Sequence, residues 1–163
     1  MITRRFALMS GGAAATLAGV ALSRARPAQA EAFPLTLTDV QWRSRLKPDQ
    51  YAVLRKASTE APFSSPLLNE HRAGIFNCAG CQLDLFSSKT KFDSGTGWPS
   101  FWAPINKTAV QVSTDNSLGM VRDEVHCSRC GGHLGHVFND GPKPTGLRYC
   151  MNGLALGFRP TAV

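Results

Sequence analysis

The chain has 163 residues, enough for one domain with a sizeable core and too few for two. Its 18 Lys and Arg against 11 Asp and Glu give a formal net charge of +7. Four of those positive charges, Arg4, Arg5, Arg24 and Arg26, sit in a first thirty residues without a single acid, so the remainder carries only +3 and gives no support to a nucleic-acid partner.

Those thirty residues read as a leader. Arg4-Arg5 precedes a small, apolar run from Met9 to Leu22, and Ala28-Gln29-Ala30 supplies a small-x-small cleavage site. The arrangement resembles a twin-arginine export signal. Ser10, Gly11 and Gly12 interrupt a run that is already short for a spanning helix, so a membrane anchor fits less well. The expected layout is a signal at 1–30, a tether at 31–37 and one domain at 38–163, delivered to the periplasm or otherwise exported, with the membrane met only on the way.

Thr38-Asp39-Val40-Gln41 matches a capping box and opens a short helix with Val40, Trp42 and Leu46 on or near one face. Pro48 suits the first turn of a second helix running to about Ala57, with Tyr51 and Leu54 three apart. Beyond Ala61-Pro62 the helical period vanishes. Short apolar runs follow at 74–77, 83–86, 109–112, 120–125, 135–138, 148–151 and 154–158, broken by Gly, Pro, Asn and Ser. Many short strands with frequent turn signals predict a mainly β, antiparallel domain.

Four of the five cysteines form two pairs, Cys78-Ala-Gly-Cys81 and Cys127-Ser-Arg-Cys130. Two intervening residues let a tight turn aim both sulfurs at one point, and two such knuckles complete a tetrahedral Cys₄ zinc site. A disulfide in each pair, or one redox-active dithiol, are the alternatives that an oxidising compartment encourages. A filled tetrathiolate has no open position, so one zinc ion there is structural and the chemistry must lie elsewhere.

Cys150 is left over. In a strand over 148–152, alternation puts Arg148, Cys150 and Asn152 on one face and Leu147, Tyr149 and Met151 on the other. A nearby guanidinium favours thiolate, the nucleophilic form; a small buried filler is the competing role. His133 and His136 lie just beyond the second knuckle and suit acid–base work. Their offset of three sends them to opposite faces of a regular strand, with His136 beside Phe138. The loop 92–101, Phe-Asp-Ser-Gly-Thr-Gly-Trp-Pro-Ser-Phe, carries Trp98, for which a pocket wall and burial in the core, the commoner fate of a tryptophan, are the two readings.

The segments FNCAGCQLDLF, KFDSGTGWPSF, EVHCSRCGGHLGHVFNDGP and GLRYCMNG, with the lead-in APFSSPLL, resemble the B-type methionine sulfoxide reductases from Thr38 to Phe158. The resemblance implies two antiparallel β-sheets with short N-terminal helices, and a Cys₄ zinc held by Cys78, Cys81, Cys127 and Cys130 away from the active site. It implies Cys150 as the nucleophile, His136 as its catalytic partner, and a substrate site of Trp98, Phe138, Asn152, His133 and Arg148. The expected substrate is then methionine-R-sulfoxide in oxidised proteins or peptides, the expected reductant an external thiol, thioredoxin-like or other, and the enzyme implied is a monomer serving protein repair under oxidative stress. A zinc-binding module without chemistry explains the knuckles but not Cys150, His136 and Trp98 together. The chain departs from many such enzymes at Thr96, where they carry a second cysteine that attacks the sulfenic acid. Thr96 cannot do so, which implies a one-cysteine cycle.

Overall fold

Thr38 caps the first helix as its residues dictate. Its hydroxyl accepts the Gln41 N–H, and the Gln41 side chain accepts the Thr38 N–H, at the head of α1 (Asp39–Arg45). Trp42 and Leu46 turn inward, whereas Val40, expected near the same face, is 75% exposed. Pro48 starts α2 (Pro48–Lys56), which ends in a left-handed Ala57 and buries Tyr51, Val53 and Leu54. The structure, a computed structural model, describes residues 33–161. The expected leader at 1–30 lies outside the described residues, and among those described no helix is long and apolar enough to cross a membrane.

Two antiparallel sheets follow. The smaller joins β1 (Gly74–Cys78) to β2 (Asp84–Ser87) on one side and to the last strand, Leu156–Pro160, on the other. The larger contains β3 (Lys91–Phe92), β4 (Ser100–Phe101), β5 (Val110–Asp115), β6 (Arg122–Cys127), β7 (His133–Phe138) and β8 (Arg148–Met151), in the spatial order β3-β4-β8-β7-β6-β5. The last strand, Leu156–Pro160, is β9. The core gathers Phe76, Phe86 and Phe101, whose rings meet at 4.5–5.0 Å, with Val125, Leu134 and Met151, all fully buried.

Residues 33–37, expected as a tether, rest against the domain. The Leu35 N–H donates to the Arg129 carbonyl at 2.8 Å, and Leu35 and Leu37 pack on the core. Alternating apolar residues explain this: a free tether would leave Phe33, Leu35 and Leu37 in water.

The large sheet has one rung that matters. Phe92, Ser100, Cys150, His136, Glu124 and Ser113 are successive cross-strand partners across all six strands. Directly opposed residues project to the same side, so one face presents a line of polar groups around Cys150. Two residues along the same strands come Arg148, Phe138, Arg122 and Asp115 on that face. Tyr149 and Met151 point to the opposite, buried side, as alternation predicts.

The histidines depart from expectation. Val125 opposes Gly135 and His126 opposes His133, so Leu134 is an extra residue bulged into β7. A bulge resets the alternation. His133 and His136, three apart, therefore share a face, with ring centroids 5.5 Å apart. Gly135 makes the close strand approach possible: a Cβ there would lie 2.1 Å from the Cys150 carbonyl oxygen.

Candidate active site

A cavity of about 160 Å³ opens at Cys150. Trp98 and Phe138 supply its apolar wall, and His136 and Asn152 its polar wall, so five residues singled out in the sequence line one space. Thr59, Arg122 and Gly135 also line it. Arg148 and His133 flank it, the former with its guanidinium 4.3 Å from the centre of the Phe138 ring, the latter against His136.

Arg148 is shared between Asp140 and Cys150. It donates to both oxygens of Asp140 at 2.8 Å, and Asp140 holds the guanidinium above its ordinary range. The carboxylate is the first influence on it, and the Cys150 sulfur acts on it in the same direction.

Each imidazole is backed by an acid. Asp115 Oδ2 lies 2.9 Å from His136 Nε2 and 2.7 Å from an Arg122 nitrogen. Its carboxyl is held well below the usual range, first by the Ser117 hydroxyl and N–H, then by His136 and Arg122. An ionised carboxylate only accepts, so Nε2 of His136 carries a hydrogen and Nδ1 is left for other partners. His133 pairs through Nδ1 with Glu124, which also meets His126 at 3.0 Å. Burial pushes His133 below its ordinary value, which disfavours a proton on the ring beyond the one shared with Glu124. Of the two histidines, His136 is the better placed to give a proton.

Glu60, which sequence reasoning passed over, ties the pocket walls together. Its N–H donates to Asn152 Oδ1 at 3.0 Å, and its carbonyl accepts the Trp98 indole N–H at 3.2 Å. Its carboxylate accepts the N–H groups of Gly153 and Leu154, just past Asn152. Burial raises this carboxyl above its usual value while those two donors pull it down. Asp115, Arg122 and Thr59 were missed as well. Their part depends on strand register and on a loop contact, and neither leaves a mark in local sequence.

The remaining four cysteines converge at a second place, and none of them lines the cavity. All four sulfurs lie within 4.8 Å of one another. Contacts cross between the knuckles, 3.7 Å for Cys78–Cys130 and 3.4 Å for Cys81–Cys127, and no disulfide is formed. A tetrahedral zinc with bonds of about 2.3 Å needs its sulfurs roughly 3.8 Å apart, so the set fits that ion. The helices brace it. Leu54 packs on Gly80 and Gly132, Trp42 packs on Gly80, and Arg55 donates to the Cys130 carbonyl at 2.9 Å.

Residues 46–160 match the family model described as the SelR domain. The peptide methionine sulfoxide reductase MsrB of Thioalkalivibrio sulfidiphilus is 55% identical over 126 residues, covering 77% of this chain and 92% of that protein. The protein of the same name from Thiobacillus denitrificans is 55% identical over 123 residues, covering 76% and 93%. Another, from Methanosarcina mazei, is 56% identical over 121 residues, covering 74% and 86%.

Proposed function

Since the chain belongs to the SelR family, that of the MsrB peptide methionine sulfoxide reductases, we propose a mechanism for it built on Cys150. The chain is an MsrB-type thiol oxidoreductase that reduces methionine-R-sulfoxide to methionine, with a four-cysteine cluster suited to a structural zinc. The observation that carries the mechanism is the single cavity shared by Cys150, His136, Trp98, Phe138 and Asn152.

A sulfoxide sulfur is a poor electrophile until its oxygen is protonated or strongly hydrogen-bonded. The S-methyl group enters between Trp98 and Phe138, and the oxygen is directed to the polar wall. The Cys150 thiolate attacks the sulfur while His136, oriented by Asp115, gives a proton to the oxygen. The attack forms a sulfur–sulfur bond. The protonated oxygen then leaves the substrate sulfur as hydroxyl and joins the Cys150 sulfur, while the sulfur–sulfur bond breaks with its electron pair going to methionine, so that Cys150 becomes a sulfenic acid. Zinc, when bound, braces the fold and takes no part in these steps. An external thiol then attacks the sulfenic acid, releasing water and forming a mixed disulfide. A second thiol frees Cys150.

The test offers the zinc-loaded protein each diastereomer of methionine sulfoxide separately, with dithiothreitol, and measures methionine. Release from the R form alone is expected; release from the S form alone would overturn the reading.

We also propose export of the mature domain. The support is the Arg4-Arg5 leader and a four-thiolate site able to take its metal before a folded-protein route. Protein recovered from the native host should begin at or near Glu31, and Arg4-Arg5→Lys-Lys should block its export. Recovery of an unprocessed chain from the cytoplasm would refute this.

A further inference from the structure

A file of hydroxyls leads away from the Cys150 sulfur. Thr96 Oγ1 stands 3.7 Å from Cys150 Sγ. Ser94 Oγ lies 2.8 Å from Thr96 Oγ1 and 2.7 Å from Ser100 Oγ. The Ser100 hydroxyl ends the file by donating to the Trp98 carbonyl at 3.1 Å. Positive φ angles at Gly95 and Gly97 curl the loop so that Thr96 turns back onto the sulfur, and Ser100 is the fully buried cross-strand partner of Cys150.

Counting hydrogens decides how this file works. It has four links: sulfur to Thr96, Thr96 to Ser94, Ser94 to Ser100, and Ser100 to the carbonyl. Three hydroxyls supply three hydrogens. All four links are made only when Cys150 itself supplies the fourth, as a thiol, with every hydroxyl pointing towards Trp98. Once the sulfur is a thiolate, one link must go unmade. Keeping the carbonyl link would leave the anion without a donor from this file. Reversing all three hydroxyls gives the anion a charge-assisted bond and gives up only a neutral one, about half as strong. The reversed arrangement wins.

We propose that Thr96 is a catalytic residue which donates to the Cys150 thiolate, backed by Ser94 and Ser100 through a hydroxyl file that reverses with the charge on the sulfur. The proposal rests on Cys150 being the nucleophile. The file carries no net proton, because its far end is a carbonyl; it only reorients. The Arg148 guanidinium, shared between Asp140 and Cys150, acts on the sulfur as well; Thr96 is the hydroxyl that meets it.

The experiment reads alkylation of Cys150 by iodoacetamide, located by peptide mass mapping, in the zinc-loaded full chain at pH 7 and at pH 10. Turnover is not needed. Thr96→Val keeps the side-chain shape and removes the hydroxyl. It should slow alkylation at pH 7 by about tenfold or more, the scale of one hydrogen bond to a charged group. The deficit should shrink or invert at pH 10, because higher pH favours the thiolate in parent and variant alike and an unbonded thiolate is the stronger nucleophile. Thr96→Ser should stay near the parent rate. Ser94→Ala, one link further out, should slow the reaction less than Thr96→Val, and Ser100→Ala least. Parent-like alkylation of Thr96→Val at pH 7 would overturn the proposal, and so would an equal deficit at both pH values, which marks altered access. Failure of the catalytic reading is separate: it would appear as turnover surviving Cys150→Ser, whatever the alkylation rates.

Discussion

Cys150→Ser yields no methionine from methionine-R-sulfoxide, in steady state or in a single turnover. A serine hydroxyl is not ionised near neutral pH, and His136 has to give a proton to the sulfoxide oxygen, so it cannot take one from serine in the same step. Removal of a nucleophile that works as part of a unit costs on the order of 10⁴- to 10⁶-fold in rate. The fold should survive, since Cys150 is only half-buried at the cavity and serine has nearly its shape. The parent protein, mixed with substrate and no reductant, should give about one methionine per chain and gain one oxygen on Cys150, the first rung of cysteine oxidation. Thr96 offers no second thiol, and the other four sulfurs face one another. Mass mapping distinguishes the outcomes. A disulfide from Cys150 to a knuckle cysteine would mean that a metal ligand doubles as the resolving thiol. Undiminished turnover in Cys150→Ser would remove the mechanism.

Stripping the metal should unfold the domain. The two knuckles join the end of β1 to the β6–β7 connection, which belong to different sheets, and α2 sits on both through Leu54. Without an ion, four buried thiols converge with nothing to hold them. Apparent zinc binding in small domains is worth about 10–16 kcal/mol near neutral pH, against a total stability of only about 5–15 kcal/mol for an ordinary domain. Chelation, or Cys81→Ser, should therefore abolish the cooperative thermal transition and activity together, although no zinc ligand lines the cavity. Elemental analysis paired with circular-dichroism melting checks it. A metal-free chain that still melts sharply and still turns over would refute it.

Much of this could be read from residues in sequence. The capping box at Thr38 and the proline at 48 mark both helices because such signals are local. Strand β8 emerges with its inner and outer faces as alternation requires. Strands β3 and β4 are only two residues each and cannot carry a period. The turn Gly153–Ala155 took the place of an expected strand start, because the carboxylate of Glu60, distant in sequence, caps it. The bulge at Leu134 was equally out of reach: a pairing between strands creates it, and it put both imidazoles on one face where alternation had separated them. The pattern of the site was legible as a set of residue types. The acids behind the histidines were not, since register alone brings Asp115 to His136 and Glu124 to His133.

Glu60 divides its work between two kinds of atom. Its main chain grips Asn152 and the Trp98 indole, while its side chain grips the turn beyond them. An alanine scan would erase only the second part, because alanine keeps the N–H and carbonyl that brace the pocket. Proline would remove the donor to Asn152 and leave the carbonyl for Trp98. Two replacements at one position would then report on two different functions, and a catalogue of tolerated side chains would understate how much the pocket depends on this point of the backbone.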